Sequence, residues 1–540
     1  MIEVEVHQYL QAILKAQDQV PWPHNLTMAR LVARALRLGR NALIQTGISP
    51  RNLSHSYRLS YLVPVLTWPG TVMIVACEDI LESLQEAIPG LYTRDQALTS
   101  ITASTPLMAQ FPAPKPIYRG DRWPDPDFQG LMLTSPESWL ADRLQGSHGF
   151  PGNIPTLIDG IDDLELWAHR QLTIRIHPQD WNQLIQARPD QAEGIRNVQA
   201  QLTQVIFQHP PNPYNCHLLD IPEQEILHQL HEDLTGASRN GYQPQTTQSH
   251  QSIQGRSDPG ATLAPWEKFW QQWQILDQLK WVELNRARGQ FSLCCSPSEM
   301  TSALSHVWSQ QPVVLIGGAV DLEKRAPIYR QNIGLEEVTC VKFAPDPQSQ
   351  LIQLYLPSRL PLPNTPKFQA ALTEELRTLL WVSHASQGLT VLLIDDVPLK
   401  AQIGASLAGE FGSRVQVETP EVQETGILVT GWEFWQAFQG KLPEPQILAI
   451  ATLPLPSLEH PLVAGQVAYY KQQRQDWFRL YLLPTALNQL QRAVAPVRET
   501  QGVVALFDSR VLHRSYGQQV LAALNPFARI NYLDTLWLNH

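Results

Sequence analysis

The sequence predicts an α/β protein with two doubly wound parallel sheets. Three observations lead there. Short, uninterrupted apolar runs of strand length recur along the chain and alternate with helical patterns. Strands with no polar alternation are those buried on both faces, the mark of parallel sheets covered by helices. A polar, low-complexity segment divides the runs into two groups, and 540 residues suffice for two to four domains.

In chain order the runs are TVMIVA (71–76), TLID (156–159), PVVLIGG (312–318), LTVLLID (389–395), TGILVTG (425–431), QILAIATL (446–453) and GVVALFD (502–508). PLKAQIGASLAGEF (398–411) is one of the helical patterns between them. The segment 236–263, rich in Gln, Ser, Gly and Thr, has no hydrophobic periodicity and is expected to be a flexible linker. Residues 111–130 carry five prolines and are expected to form a surface loop. The expected division is residues 1–235 and 264–335 for the first domain, interrupted by the linker, and 336–540 for the second. No short-period repeat is present.

The formal net charge of −10 excludes a global basic field, so any nucleic-acid contact requires local patches. Five cysteines without regular spacing, and without a CxxC pair, argue for a reducing compartment and against a disulfide framework or a thiolate metal site. The acidic start MIEVEVHQYL is not a secretory leader, and no apolar stretch reaches the roughly 18 residues of a membrane span. The expectation is a cytoplasmic protein with no membrane contact. No GxGxxG follows a strand, so a dinucleotide binder lacks support.

One stretch carries chemistry. In TLIDGIDDLELW an apolar run ends at Asp159, followed by Gly160 and the acids Asp162, Asp163 and Glu165. Read on their own, the three later acids make a solvated helix start, placed favourably against the helix dipole. Arg30, Arg34 and Arg37 fall on one face of a predicted helix, in a 60-residue N-terminal region with seven Lys/Arg against three Asp/Glu. Such a stripe suits phosphate contacts. Aromatic residues such as Trp435 are candidates to stack unpaired bases. His228 and His231 in HQLHED have metal-ligand spacing, but no third ligand is suggested and a surface helix explains them.

The stretch LPTALNQLQRAVAPVRETQGVVALFDSRVLHRSYGQQVLAAL (483–524) resembles the end of DinG/XPD-type superfamily 2 DNA helicases. Other segments resemble that family in its own order. YLVP (61–64) is similar to the helix after its phosphate loop, TLIDGIDDLE to its LIIDEAHNLE, VVLIGGAVD to its VIxTSATL, and GILVTGWEFWQAF to the segment carrying FWEGVD. The resemblance implies two RecA-like domains, ATP and Mg²⁺ as cofactors, and DNA, single-stranded or forked, as partner.

Residue by residue, the resemblance implies catalytic positions at Asp159, which would hold Mg²⁺, and at Arg498. It places Gly47, Arg58 and Gln491 at the nucleotide. The departures are many. Tyr57 stands at the phosphate-loop lysine and Arg58 at the metal-binding Ser/Thr. Gly160 replaces the glutamate that activates water, and Gly317-Gly318-Ala319 replaces Ser-Ala-Thr. Gln436, Ala437 and Gln439 replace Glu, Gly and Asp. Ungapped alignment puts Arg492, Ala493 and Pro496 over the arginine-finger region, while a two-residue gap keeps Gln491 and Arg498. Only Cys77 lies where the family often holds four cysteines, so no iron–sulfur cluster is expected. The pattern points to a helicase whose ATP-driven unwinding is weakened or lost, or to an inactive scaffold that binds DNA or a protein.

Overall fold

The computed structural model describes residues 2–15, 22–50, 56–101, 114–146, 149–239, 259–383 and 388–530. Its strands begin with β1 (Ala42–Gln45), β2 (Val72–Val75), β3 (Ile117–Arg119), β4 (Leu131–Thr134) and β5 (Thr156–Asp159). Next come β6 (Ile174–Ile176), β7 (Cys216–Leu218), β8 (Gln278–Asn285) and β9 (Gln290–Pro297), then β10 (Val313–Gly317) and β11 (Thr339–Lys342). The last are β12 (Ile352–Tyr355), β13 (Leu389–Leu393), β14 (Val415–Val417), β15 (Ile427–Thr430), β16 (Pro445–Ile450), β17 (Val503–Leu506) and β18 (Phe527–Ile530).

Two seven-stranded sheets result, ordered β11-β1-β10-β5-β2-β4-β3 and β14-β15-β13-β16-β17-β12-β18. Every pairing in both is parallel, for example Val314 beside Leu157 and Leu448 beside Val504. Of the runs read as buried strands, β2, β5, β10, β13, β15 and β17 are buried throughout and β16 all but Gln446; β1 and β4, which were not among those runs, are also buried throughout. Around the first sheet a core including Val32, Tyr61, Val63, Ile74, Leu133, Leu157 and Ile316 fills the space beneath the N-terminal helices. Leu372, Leu376, Leu392, Leu407, Val429 and Phe507 do the same for the second. Each such side chain contributes roughly 1.5–3 kcal/mol when fully buried.

The chain forms two compact units. One comprises residues 1–167, 301–455 and 479–540 and contains both parallel sheets; the other comprises 168–300 and 456–478. This second unit holds the antiparallel sheet β6-β9-β8-β7 and a core rich in tryptophan, including Trp181, Trp266, Trp270 and Trp273. The expected division differs here: 168–235 and 264–300 were expected inside the first parallel-sheet domain and 456–478 inside the second. The expected boundary at 336 also moves, because β11 pairs with β1 in the first sheet. Of the expected linker, residues 240–258 lie outside the described residues. Helices Ile221–Arg239 and Pro259–Trp273 flank them. In the proline-rich stretch, β3 forms the edge of the first sheet.

Candidate functional site

Sites in doubly wound sheets lie at the carboxyl ends of the strands. Three neighbouring strands, β1, β10 and β5, end together in the first sheet and deliver Thr46–Pro50, Gly317–Ala319 and Asp159–Asp163.

The turn after β1 lies down on the end of β10. The Thr46 amide donates to the Gly317 carbonyl at 2.8 Å and the Gly47 amide to the Gly318 carbonyl at 2.9 Å. The Ile48 amide donates to Thr46 Oγ1 at 3.2 Å. Three successive N–H groups are thereby committed inside the protein, and a phosphate cradle needs such groups free. Gly47 has φ +76°, a left-handed conformation that suits glycine. Residues 51–55, the rest of the stretch compared with the phosphate loop, lie outside the described residues.

The same contact accounts for the glycines on β10. A Cβ on Gly318 would sit 2.3 Å from the Ile48 carbonyl oxygen, and one on Gly317 would sit 2.7 Å from an Asp162 oxygen. Ser or Ala at these positions would force the strand ends apart.

Asp159 is 1% exposed at the end of β5. Tyr57 donates to its Oδ1 at 3.0 Å, Tyr61 to its Oδ2 at 2.9 Å, and Arg58 Nε to its Oδ2 at 3.1 Å. Arg58 is itself buried and also donates to the Pro50 carbonyl at 2.5 Å. Burial alone would lower the Arg58 pKa, but the neighbouring Tyr57 and Asp159 outweigh it and raise the value. Burial, with Asp159 alongside, holds both tyrosine hydroxyls well above their ordinary range. The substitutions at the lysine and Ser/Thr positions thus turn inward together and close around Asp159.

Gly160 has φ +93°, so a glutamate there would carry left-handed strain as well as a Cβ 3.5 Å from Trp167. The acids that follow do not form a solvated turn. Asp162 accepts from the Gly318 and Ala319 amides at 2.8 and 2.9 Å. Burial pushes its pKa up, against the pull of Arg492 and these two amides. Asp163 pairs with Arg492 at 2.9 Å. Glu165 accepts from Asn332 at 3.4 Å and is raised to about 6 by burial. A run of acids in a turn gives no sign of what packs over it, so the sequence alone offered no route to these partners.

Arg498 is buried, and its guanidinium donates to the carbonyls of Leu524 (2.5 Å), Pro526 (3.0 Å), Gln350 (3.3 Å) and Asn525 (3.4 Å). Burial lowers its pKa to about 10. These bonds tie the helix Leu483–Glu499 to the edge of the second sheet, so Arg498 braces backbone where the resemblance implied a finger. Arg492, on the same helix, is the arginine that reaches the acidic motif. Gln491 donates to the Ala523 carbonyl at 3.3 Å.

Trp435 is fully buried and its indole N–H donates to the Ala493 carbonyl, which removes it as a platform for a base. Arg30, Arg34 and Arg37 are exposed on the helix Asn25–Leu38, and Arg37 pairs with Glu3 at 2.7 Å. His228 is exposed beside Glu232, while His231 stacks on Trp270.

A core of two seven-stranded parallel sheets, with loops gathered at the strand ends, is the architecture of two RecA-like domains. Residues 410–527 match the helicase C-terminal domain. The S. tokodaii Xpd4 structure superposes with a TM-score of 0.56 at 11% identity, covering 94% of this chain and all of that one. An apo XPD structure gives 0.54 at 11% identity, covering 93% of this chain and all of its own. The ATP-dependent DNA helicase YoaA of Haemophilus influenzae is 24% identical over 220 residues, 38% of this chain. That match spans 34% of YoaA, about a third of its length. The chain thus shares the fold of the XPD structures, and its residues 410–527 are similar to the C-terminal domain of helicases.

The resemblance to helicases implies ATP and Mg²⁺. The residues at Asp159 do not fit a hydrated Mg²⁺: both carboxylate oxygens accept from buried donors, and the Arg58 charge already balances the carboxylate. Among the described residues no helix is long and apolar enough to cross a membrane.

Proposed function

We propose that this chain is a helicase-fold protein that binds nucleic acid without Mg²⁺-dependent ATP turnover. The observation that carries the reading is the buried Arg58–Asp159 pair, with Tyr57 and Tyr61 completing the shell. Phosphoryl transfer in such motors depends on a metal held at the acidic strand end and on amides and a lysine at the phosphates. Here a guanidinium takes the cation's place, the Thr46 and Gly47 amides are spent on the end of β10, and glycine stands where water would be activated.

Nucleic acid remains the partner the resemblance suggests, single-stranded or forked DNA in particular. The exposed Arg30 and Arg34 are the groups on the N-terminal helix best placed to meet phosphates. A setting in the reducing cytoplasm fits five free cysteines. The alternative is a scaffold whose partner is a protein, and the net charge of −10 favours it over broad, nonspecific DNA binding.

Calorimetry with single-stranded and forked oligonucleotides, with and without Mg²⁺-ATP, separates the readings. Oligonucleotide binding that is indifferent to ATP is expected. Affinity that changes with ATP would contradict the proposal, and no oligonucleotide binding at all would favour the protein partner.

A further inference from the structure

Within the unit that holds the antiparallel sheet, three side chains of metal-ligating type meet: His209, Asp220 and Glu223. One ligand atom from each lies within 4.8 Å of the other two. His209 follows the helix Ala192–Gln208 as its C-cap. Asp220 directly precedes the helix Ile221–Arg239, and Glu223 lies in the first turn of that helix.

The neighbouring loop holds these groups in place. The His209 Nε2–H donates to Glu223 Oε1 at 2.8 Å, and the Asp220 amide donates to Glu223 Oε2 at 2.8 Å. His217 stacks on His209 with ring centroids 4.7 Å apart, which fixes the plane of the imidazole. Asn212, in the loop between the two histidines, donates to the Cys216 carbonyl at 2.8 Å and accepts from the Tyr214 amide at 3.0 Å.

Two features are left over by this packing. Glu223 is 1% exposed, yet neither it nor Asp220 pairs with a lysine or arginine among the described residues. A buried carboxylate is costly without a cation, and a second carboxylate beside it adds repulsion. Arg286 reaches this region but donates to the His209 backbone carbonyl, at 2.8 Å. The second feature is Asp220 itself. An aspartate in front of a helix ordinarily spends its carboxylate on an amide two or three residues on. The Asp220 carboxylate makes no hydrogen bond among the described residues and lies beside His209 and Glu223 instead.

A divalent ion in place of the His209 Nε2 proton answers both features. Ligand atoms on a tetrahedral zinc ion sit about 3.3 Å apart, from metal–ligand distances of about 2.0–2.2 Å. The His209–Glu223 pair is already near that spacing, and the exposed Asp220 side chain is free to rotate onto the same point. The dipole at the helix start opposes a cation with about half an elementary charge, against a full charge on each carboxylate. One imidazole with two carboxylates suits Zn²⁺ and its transition-metal neighbours, whereas Ca²⁺ takes about six to eight oxygens.

We infer that His209, Asp220 and Glu223 bind one divalent transition-metal ion of the zinc class, with a coordination position left for water. The ion joins the end of the helix Ala192–Gln208 to the start of the helix Ile221–Arg239.

The test is calorimetry on the full chain, stripped of metal with EDTA and dialysed, then titrated with Zn²⁺ and separately with Mg²⁺ and Ca²⁺. Saturable binding of one Zn²⁺ per chain is expected, and none of Mg²⁺ or Ca²⁺ over the same concentrations. His209→Gln should abolish it. Asp220→Asn changes an exposed carboxylate that bonds nothing in the fold, so it leaves folding intact and should weaken Zn²⁺ by at least about tenfold. Circular dichroism checks both variants, and where His209→Gln fails to fold, Asp220→Asn decides. His228→Ala, exposed on the same unit, should leave stoichiometry and affinity unchanged. Absence of saturable Zn²⁺ binding, equal affinity in Asp220→Asn, loss of binding in His228→Ala, or equal binding of Mg²⁺ or Ca²⁺ overturns the inference. ATP turnover does not enter the measurement, so its outcome leaves the proposed function untouched.

Discussion

Arg58→Met removes the guanidinium that balances Asp159 while keeping most of the side chain's volume. In the native protein Asp159 accepts from Tyr57, Tyr61 and Arg58, all at most 4% exposed. Without Arg58 two neutral hydroxyls are left to support a buried carboxylate. Breaking one partner of a buried pair costs about 3–5 kcal/mol. The expected loss is therefore about 3–5 kcal/mol, read from urea denaturation followed by tryptophan fluorescence. Asp159→Asn added to Arg58→Met should recover part of the loss, giving a coupling of at least about 2 kcal/mol. A loss below about 1 kcal/mol, the range of exposed ion pairs, would refute the placement of a buried charge pair at this strand end.

Other outcomes follow from the same geometry. Gly160→Glu, which restores the family's residue, should destabilise the fold by about 1–2 kcal/mol through left-handed strain and restore no ATPase activity, checked by denaturation and phosphate release. Arg492→Gln should cost about 2–4 kcal/mol by removing the buried guanidinium that faces Asp162 and Asp163, measured in the same urea series. Glu165 is raised to about 6 in the folded state, so its ionisation opposes folding. Its neutral form carries no such penalty below its ordinary pKa of 4.5, and the penalty is complete above about 6. Glu165→Gln should therefore gain Tm over the native chain as pH rises through that window; a difference that is flat with pH would contradict the burial.

The strands were legible because parallel-sheet burial writes itself as continuous apolar runs, and the acidic motif was legible as a strand end carrying Asp159. What Arg58 does was not. The sequence showed a missing phosphate-loop lysine, but only the fold turns Tyr57, Arg58 and Tyr61 toward a carboxylate about a hundred residues away. The Gly317-Gly318 pair read as loss of hydroxyls, whereas in space it is what lets Ile48 and Asp162 approach. Trp435 suggested stacking because an aromatic residue beside polar ones looks the same whether it faces solvent or core. The unit containing 168–300 was not legible because its hairpin β8–β9 has no continuous apolar run: polar residues such as Lys280, Glu283 and Ser292 interrupt it.

The most direct measurement is release of phosphate from ATP by the purified full chain, with Mg²⁺, with and without single-stranded DNA. Release no faster than the buffer control is expected in both conditions. Mg²⁺-dependent release stimulated by DNA would contradict the claim that a guanidinium has taken the metal's place at Asp159.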